Sequence, residues 1–85
     1  ILAEECCEVG QRVSKALRFG LDEVQPEQEK TNGTRIMDEV NDLIGTVNLL
    51  IGNGILPCLD ERAIFSRENK IWKYVKYAKE IGAIK

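Results

Sequence analysis

A chain of 85 residues, 44% hydrophobic and 31% charged, is one small domain of ordinary globular composition, which excludes a disordered segment. Its formal net charge of −2 gives no support to a nucleic-acid-binding surface, which normally shows a basic excess on one face. No apolar run approaches a membrane span, and Ile1-Leu2-Ala3 leads straight into acids instead of a cleavable signal, so a cytoplasmic protein without a membrane partner is expected.

The first helix is expected from the start of the chain to about Phe19, with Gly20 as its stop. Residues 21 to 33 hold Asp22, Pro26 and Asn32-Gly33 and read as a polar loop long enough to be functional. Thr34 is the expected cap of a second helix that reaches about Asn53 and is ended by Gly52 and Gly54. After a link through Pro57, Asp60 caps a third helical region running to about Ile81, with Gly82 as its stop and a break near Ser66 left open. No strand-like alternation competes, so the fold class is all-α with about three main helices.

The first helix carries Glu4-Glu5-Cys6-Cys7-Glu8, and the second carries Glu39-Val40-Asn41-Asp42. At about 100° per residue, Glu5 and Glu8 lie roughly 60° apart on the helical wheel, as do Glu39 and Asp42. Measured from Glu5, the residues Leu2, Cys6, Val9, Val13, Ala16 and Leu17 fill an arc of roughly 20° to 120°. Measured from Glu39, Ile36, Val40, Leu43, Ile44, Val47, Leu50 and Ile51 fill roughly 20° to 140°. If the two stripes pack together, four carboxylates meet on one shoulder of the core. Such a cluster repels itself and loses water, which raises pKa values unless a cation compensates.

Mg²⁺, or Mn²⁺, suits an all-carboxylate shell completed by water. A carboxylate-bridged di-iron bundle adds histidine, and this chain has none. Zinc is disfavoured because the three cysteines lack a metal-binding spacing. Adjacent Cys6 and Cys7 cannot bond each other sensibly; Cys6 reads as a small core residue, Cys58 sits beside Pro57 in a loop, and free thiols suit a reduced compartment.

On the third helix Ile64, Ile71, Val75 and Ala78 share one side, extended by Tyr74 and Ile81. Lys70 and Tyr77 border that side, whereas Lys73 and Lys76 project further out, so Lys70 is the best-phased cation for reaching a buried anion. Trp72 reads as a core or interface anchor.

These residues carry a family likeness. The chain resembles the MazG-like all-α nucleoside triphosphate pyrophosphohydrolases, whose signature is Glu-Glu-x-x-Glu on one helix and Glu-x-x-Asp on the next; here these are Glu4 to Glu8 and Glu39 to Asp42. Further similarity lies in Lys15-Ala16-Leu17-Arg18-Phe19-Gly20 and in Lys70-Ile71-Trp72-Lys73-Tyr74 through Gly82, so the likeness spans nearly the whole chain. It implies Mg²⁺-dependent hydrolysis of a nucleoside triphosphate to the monophosphate and pyrophosphate, in nucleotide-pool house-cleaning. By the same resemblance Glu5, Glu8, Glu39 and Asp42 are metal ligands, in agreement with the helix phases. Glu4 or Glu8 would orient or deprotonate the attacking water. Arg12, Lys15, Lys70, Lys73 and Tyr77 are the candidate partners for phosphate and substrate, while Arg18 points away from Glu5 and Glu8.

The resemblance also implies a MazG-like helical bundle completed by oligomerisation, as a homodimer or a dimer of dimers. Family members usually have a helix before the first acidic motif, and this sequence begins three residues before Glu4; residues 1 to 85 are therefore expected to form a single MazG-like domain lacking that helix. The competing expectation is a non-catalytic oligomeric helical interaction module whose acids form an exposed face.

Overall fold

The first helix, α1 (Leu2–Phe19), has apolar side chains recurring every three to four residues and stops at Gly20, whose φ of 95° suits a residue without a Cβ. In this computed structural model, which describes residues 1–84, two more helices follow, α2 (Asn32–Gly52) and α3 (Glu61–Glu80), and the described residues contain no strand.

Thr31, and not Thr34, caps α2. Its Oγ1 accepts a hydrogen bond from the Thr34 N–H at 3.1 Å, so the expected cap residue is the donor in the first turn. Asn32-Gly33 thereby opens the helix instead of forming a free-standing turn. The reason is the loop: the Asn32 N–H donates to the Glu23 carbonyl at 2.8 Å and the Gly33 N–H to the Leu21 carbonyl at 2.9 Å. The Asn32 side chain, 3% exposed, donates from Nδ2 to the Gly20 carbonyl at 2.9 Å and to Glu23 Oε1 at 3.3 Å. These bonds tie the two ends of the loop together and seat α2 beside α1.

At the far end of α2 the Ile55 N–H returns to the Leu50 carbonyl at 2.9 Å, and the Gly54 N–H to the Ile51 carbonyl at 3.0 Å. This Schellman arrangement requires the left-handed φ of 72° found at Gly54. Asp60 caps α3 through the Ala63 N–H at 3.1 Å, and the helix is continuous through Ser66.

α1 and α2 pack side by side as an antiparallel pair, and α3 packs on neither. The radius of gyration is 15.8 Å and the extents are 41 × 38 × 16 Å, whereas a compact chain of this length has a radius near 12 Å. Ala16 is accordingly the sole buried apolar residue among those described, and even it keeps 8% of its surface exposed.

The contact between α1 and α2 is centred nearer the acids than the middle of the apolar stripes. Ala16 is buried and Leu2, Val9, Glu5 and Arg12 are half-buried, all within roughly 60° of Glu5 on the wheel. Cys6, Val13 and Leu17, at roughly 80° to 120°, are exposed, Leu17 by 83%. The expectation that Cys6 is a core residue is corrected for this reason: α2 covers the other edge of its helix. On α2, Ile36, Val40, Leu43, Val47, Leu50 and Ile51 are half-buried, while Ile44 is exposed. No helix among the described residues is long and apolar enough to cross a membrane.

Candidate functional site

The displaced packing draws carboxylates into the contact between α1 and α2. Oxygens of Glu5, Glu39 and Asp42, one from each residue, all lie within 4.8 Å of one another. Glu5 and Glu39 are half-buried and Asp42 is exposed at the rim. The deeper oxygens, Glu5 Oε2 and Glu39 Oε2, are shielded from solvent and receive no hydrogen bond. An ionised carboxylate is an acceptor only, so each of these oxygens is uncompensated unless a cation or a proton reaches it.

Among the described residues, one cation forms an ion pair with these acids. Arg12, on the turn of α1 after Glu8, places Nε 3.6 Å from Glu39 Oε1, with the two side chains 25% and 17% exposed. That contact is electrostatic and too long for a good hydrogen bond. Glu8 stands beside the same group from the solvent side. Its carboxyl is held above the ordinary 4.5, first because its protonated form hydrogen-bonds Glu39, then through the negative charges of Glu39 and Glu5, with smaller contributions from desolvation and Asp42. Glu8 thus feels the charges of the other three acids, although it lies outside the group whose oxygens meet within 4.8 Å. A donor set of hard oxygens, two of them unpaired, fits Mg²⁺ or Mn²⁺.

The remaining sequence-derived candidates are distributed unevenly. Glu4 is exposed and roughly 100° from Glu5 on the wheel, which leaves Glu8 as the carboxylate flanking the cluster. Arg12 adjoins the cluster. Lys15 is exposed on a shallow surface with Gly10, Gln11, Ser14 and Arg18, all on α1, and does not join it. Lys70, Lys73 and Tyr77 are exposed on α3, which touches neither α1 nor α2, so one chain alone does not bring them to the acids.

Sequence reasoning missed a cleft of about 460 Å³ next to Arg12, formed where the loop folds back over the start of α2 and lined also by Lys30, Arg35 and Asp38. The signal was present in the spacing, because Arg35 precedes Glu39 by four residues, as Glu8 precedes Arg12.

Comparison with protein-family models, with curated proteins and with solved structures finds no match to this chain.

Proposed function

We propose that the chain is a MazG-like nucleoside triphosphate pyrophosphohydrolase that converts a nucleoside or deoxynucleoside triphosphate to the monophosphate and pyrophosphate and so serves to clear the nucleotide pool. The observation that carries this reading is that Glu5 and Glu39, which bring carboxylate oxygens within 4.8 Å of each other and of Asp42 from the two helices that bear the acidic motifs, each keep a shielded oxygen without a donor. Glu5, Glu39 and Asp42 would hold Mg²⁺ or Mn²⁺, with Glu8 beside them. Bound there, the metal supplies charge neutralisation for the phosphate oxygens and a more acidic water.

The chain's own residues divide the remaining tasks. Arg12 sets a guanidinium against the cluster, where it offsets negative charge and has donors left for a phosphate oxygen. Glu8 faces solvent at the edge of the cluster and is the carboxylate that takes the proton from the attacking water; its placement favours it over Glu4. The water oxygen bonds to the α-phosphorus, the bridge to the β-phosphorus breaks, and its electron pair leaves with pyrophosphate.

The same reading includes a homodimer or a dimer of dimers. Val13, Leu17 and Ile44 lie exposed along one flank of the α1–α2 pair, and Ile71, Trp72 and Tyr74 are exposed on an α3 that touches neither α1 nor α2. Covering such surfaces between copies stabilises each of them. It would also give Lys70, Lys73 and Tyr77 a route to a neighbouring chain's acids.

Hydrolysis of a panel of nucleoside triphosphates in ¹⁸O water with Mg²⁺ tests the reaction. The expected label is in the nucleoside monophosphate, with activity lowered by about 100-fold or more in Glu8→Gln and Asp42→Asn. Label in orthophosphate, or undiminished activity in both variants, overturns the assignment and favours the non-catalytic helical module.

A further inference from the structure

The cleft beside the acidic cluster has a composition that metal binding does not explain. Arg12, Lys30 and Arg35 converge on it, with Asp38, Glu27 and Glu29 around them, in a volume of about 460 Å³. We propose that Arg12, Lys30 and Arg35 bind the terminal phosphates of the triphosphate, the half that leaves as pyrophosphate; the inference rests on the acidic cluster engaging the α-phosphate.

Placement supports it first. Arg12 lies one turn beyond Glu8 on α1, and Arg35 lies one turn before Glu39 on α2. Because the two helices run antiparallel, both steps lead from the acids in the same direction, toward the loop. One turn advances about 5.4 Å, a reach suited to the next phosphates of a chain whose first phosphate sits at the carboxylates.

The availability of donors supports it next. Arg12 meets Glu39 through Nε alone, at 3.6 Å, and Arg35 makes no ion pair with any described carboxylate. Two planar guanidinium forks therefore have donors to spare, and such forks match phosphate oxygens. Lys30 is engaged with Asp38 at 2.9 Å, but that pair is exposed and exchanges readily for a multiply charged anion. The backbone offers no substitute, since the N–H groups of Asn32, Gly33 and Thr34 are already bonded to Glu23, Leu21 and Thr31. Anion recognition there falls to the three side chains. Glu27 and Glu29 at the rim then disfavour a bare anion and favour a polyphosphate that is part-neutralised by its metal.

Inorganic triphosphate is the probe, titrated calorimetrically into the full chain with and without Mg²⁺, while Mg²⁺ alone is titrated in parallel. Arg35→Gln and Lys30→Gln should each weaken triphosphate binding by about tenfold or more and leave Mg²⁺ affinity unchanged, with Arg35→Lys in between. Lys30 is exposed on the loop, so its variant carries the test if Arg35→Gln melts early. Triphosphate binding that is absent in the wild type, or equal in the wild type, Arg35→Gln and Lys30→Gln, overturns the proposal. Loss of binding in those variants without any Mg²⁺ binding in the wild type upholds the cleft as a polyphosphate site and removes the metal reading instead.

Discussion

Arg12 Nε stands 3.6 Å from Glu39 Oε1, the sole ion pair joining α1 to α2 among the described residues. A single cation thus faces a cluster of four acids, and it leaves Glu39 Oε2 without a donor. The site is under-compensated, and several measurements follow from that imbalance.

Mg²⁺ or Mn²⁺ should raise the melting temperature. A ligand bound only by the folded chain adds about 2.7 kcal/mol at a hundred times its Kd, a shift of several degrees for a domain this size. Melting with chelator and then with excess Mg²⁺ measures it. Glu39→Gln should melt at a similar or higher temperature without metal, since one repelling charge is gone, and should lose the response. Equal responses in the two proteins would show that the carboxylates do not hold the ion.

The metal-free protein should become less stable as pH rises. Glu8 has a folded-state pKa above its ordinary 4.5, so the native chain holds more protons than the unfolded one between those two values. The stability contributed by that proton is fully present below the unfolded value and is lost as pH climbs through the folded one. Melts from pH 4 to 7 in chelator should slope less steeply in Glu8→Gln. Parallel profiles would mean that Glu8 is not coupled to the other acids. Metal should reverse the trend, because it binds the ionised cluster and its affinity grows with pH.

Asn32→Ala should destabilise the helical pair by about 1–3 kcal/mol, because the buried amide donates to both the Gly20 carbonyl and Glu23. Asn32→Asp should cost more, since it removes the donor and sets a second carboxylate against Glu23. Denaturant titration ranks the three proteins, and an aspartate variant as stable as the wild type would contradict the role given to that amide.

Sedimentation at concentrations on the order of micromolar should find a homodimer or larger. Ile71→Asp places a charge on an exposed position of α3, where it removes no contact with α1 or α2. It should therefore break association while α1 and α2 stay helical by circular dichroism. A compact wild-type monomer would count against the oligomer.

Local chemistry was the legible part of the fold. Gly20, Asp60 and the glycines after α2 and α3 mark helix ends through their own conformations and caps, so both ends of α3 and the C-terminal ends of α1 and α2 could be read, while the start of α2 could not. Thr31 and Thr34 are chemically equal cap candidates, and the choice between them depends on bonds from Asn32 and Gly33 to residues nine and twelve positions away. The phase of Glu5, Glu8, Glu39 and Asp42 was legible because helical period alone dictates it. The rotation that exposes Cys6 and Leu17 was not, since an apolar arc wider than one neighbour can cover does not say which edge is covered. Lys30 and Arg35 escaped notice because the returning loop makes their cleft. That α3 stands apart from α1 and α2 was not legible either, as its apolar side names no counterpart.

The bonds that join Gly20, Leu21 and Glu23 to Asn32 and Gly33 close the loop at its neck, so residues 24–31 hang from a fixed base. Lengthening a closed segment is cheap, at about 0.6 kcal/mol per doubling. The chain can therefore vary residues 24–30, through insertions or replacement, while Thr31 still caps α2 and the register of the two acidic motifs stays unchanged. The shape of the cleft and the pairing of the helices are separable in this architecture: a new loop would reshape what lies over the cleft without disturbing the carboxylates beneath it.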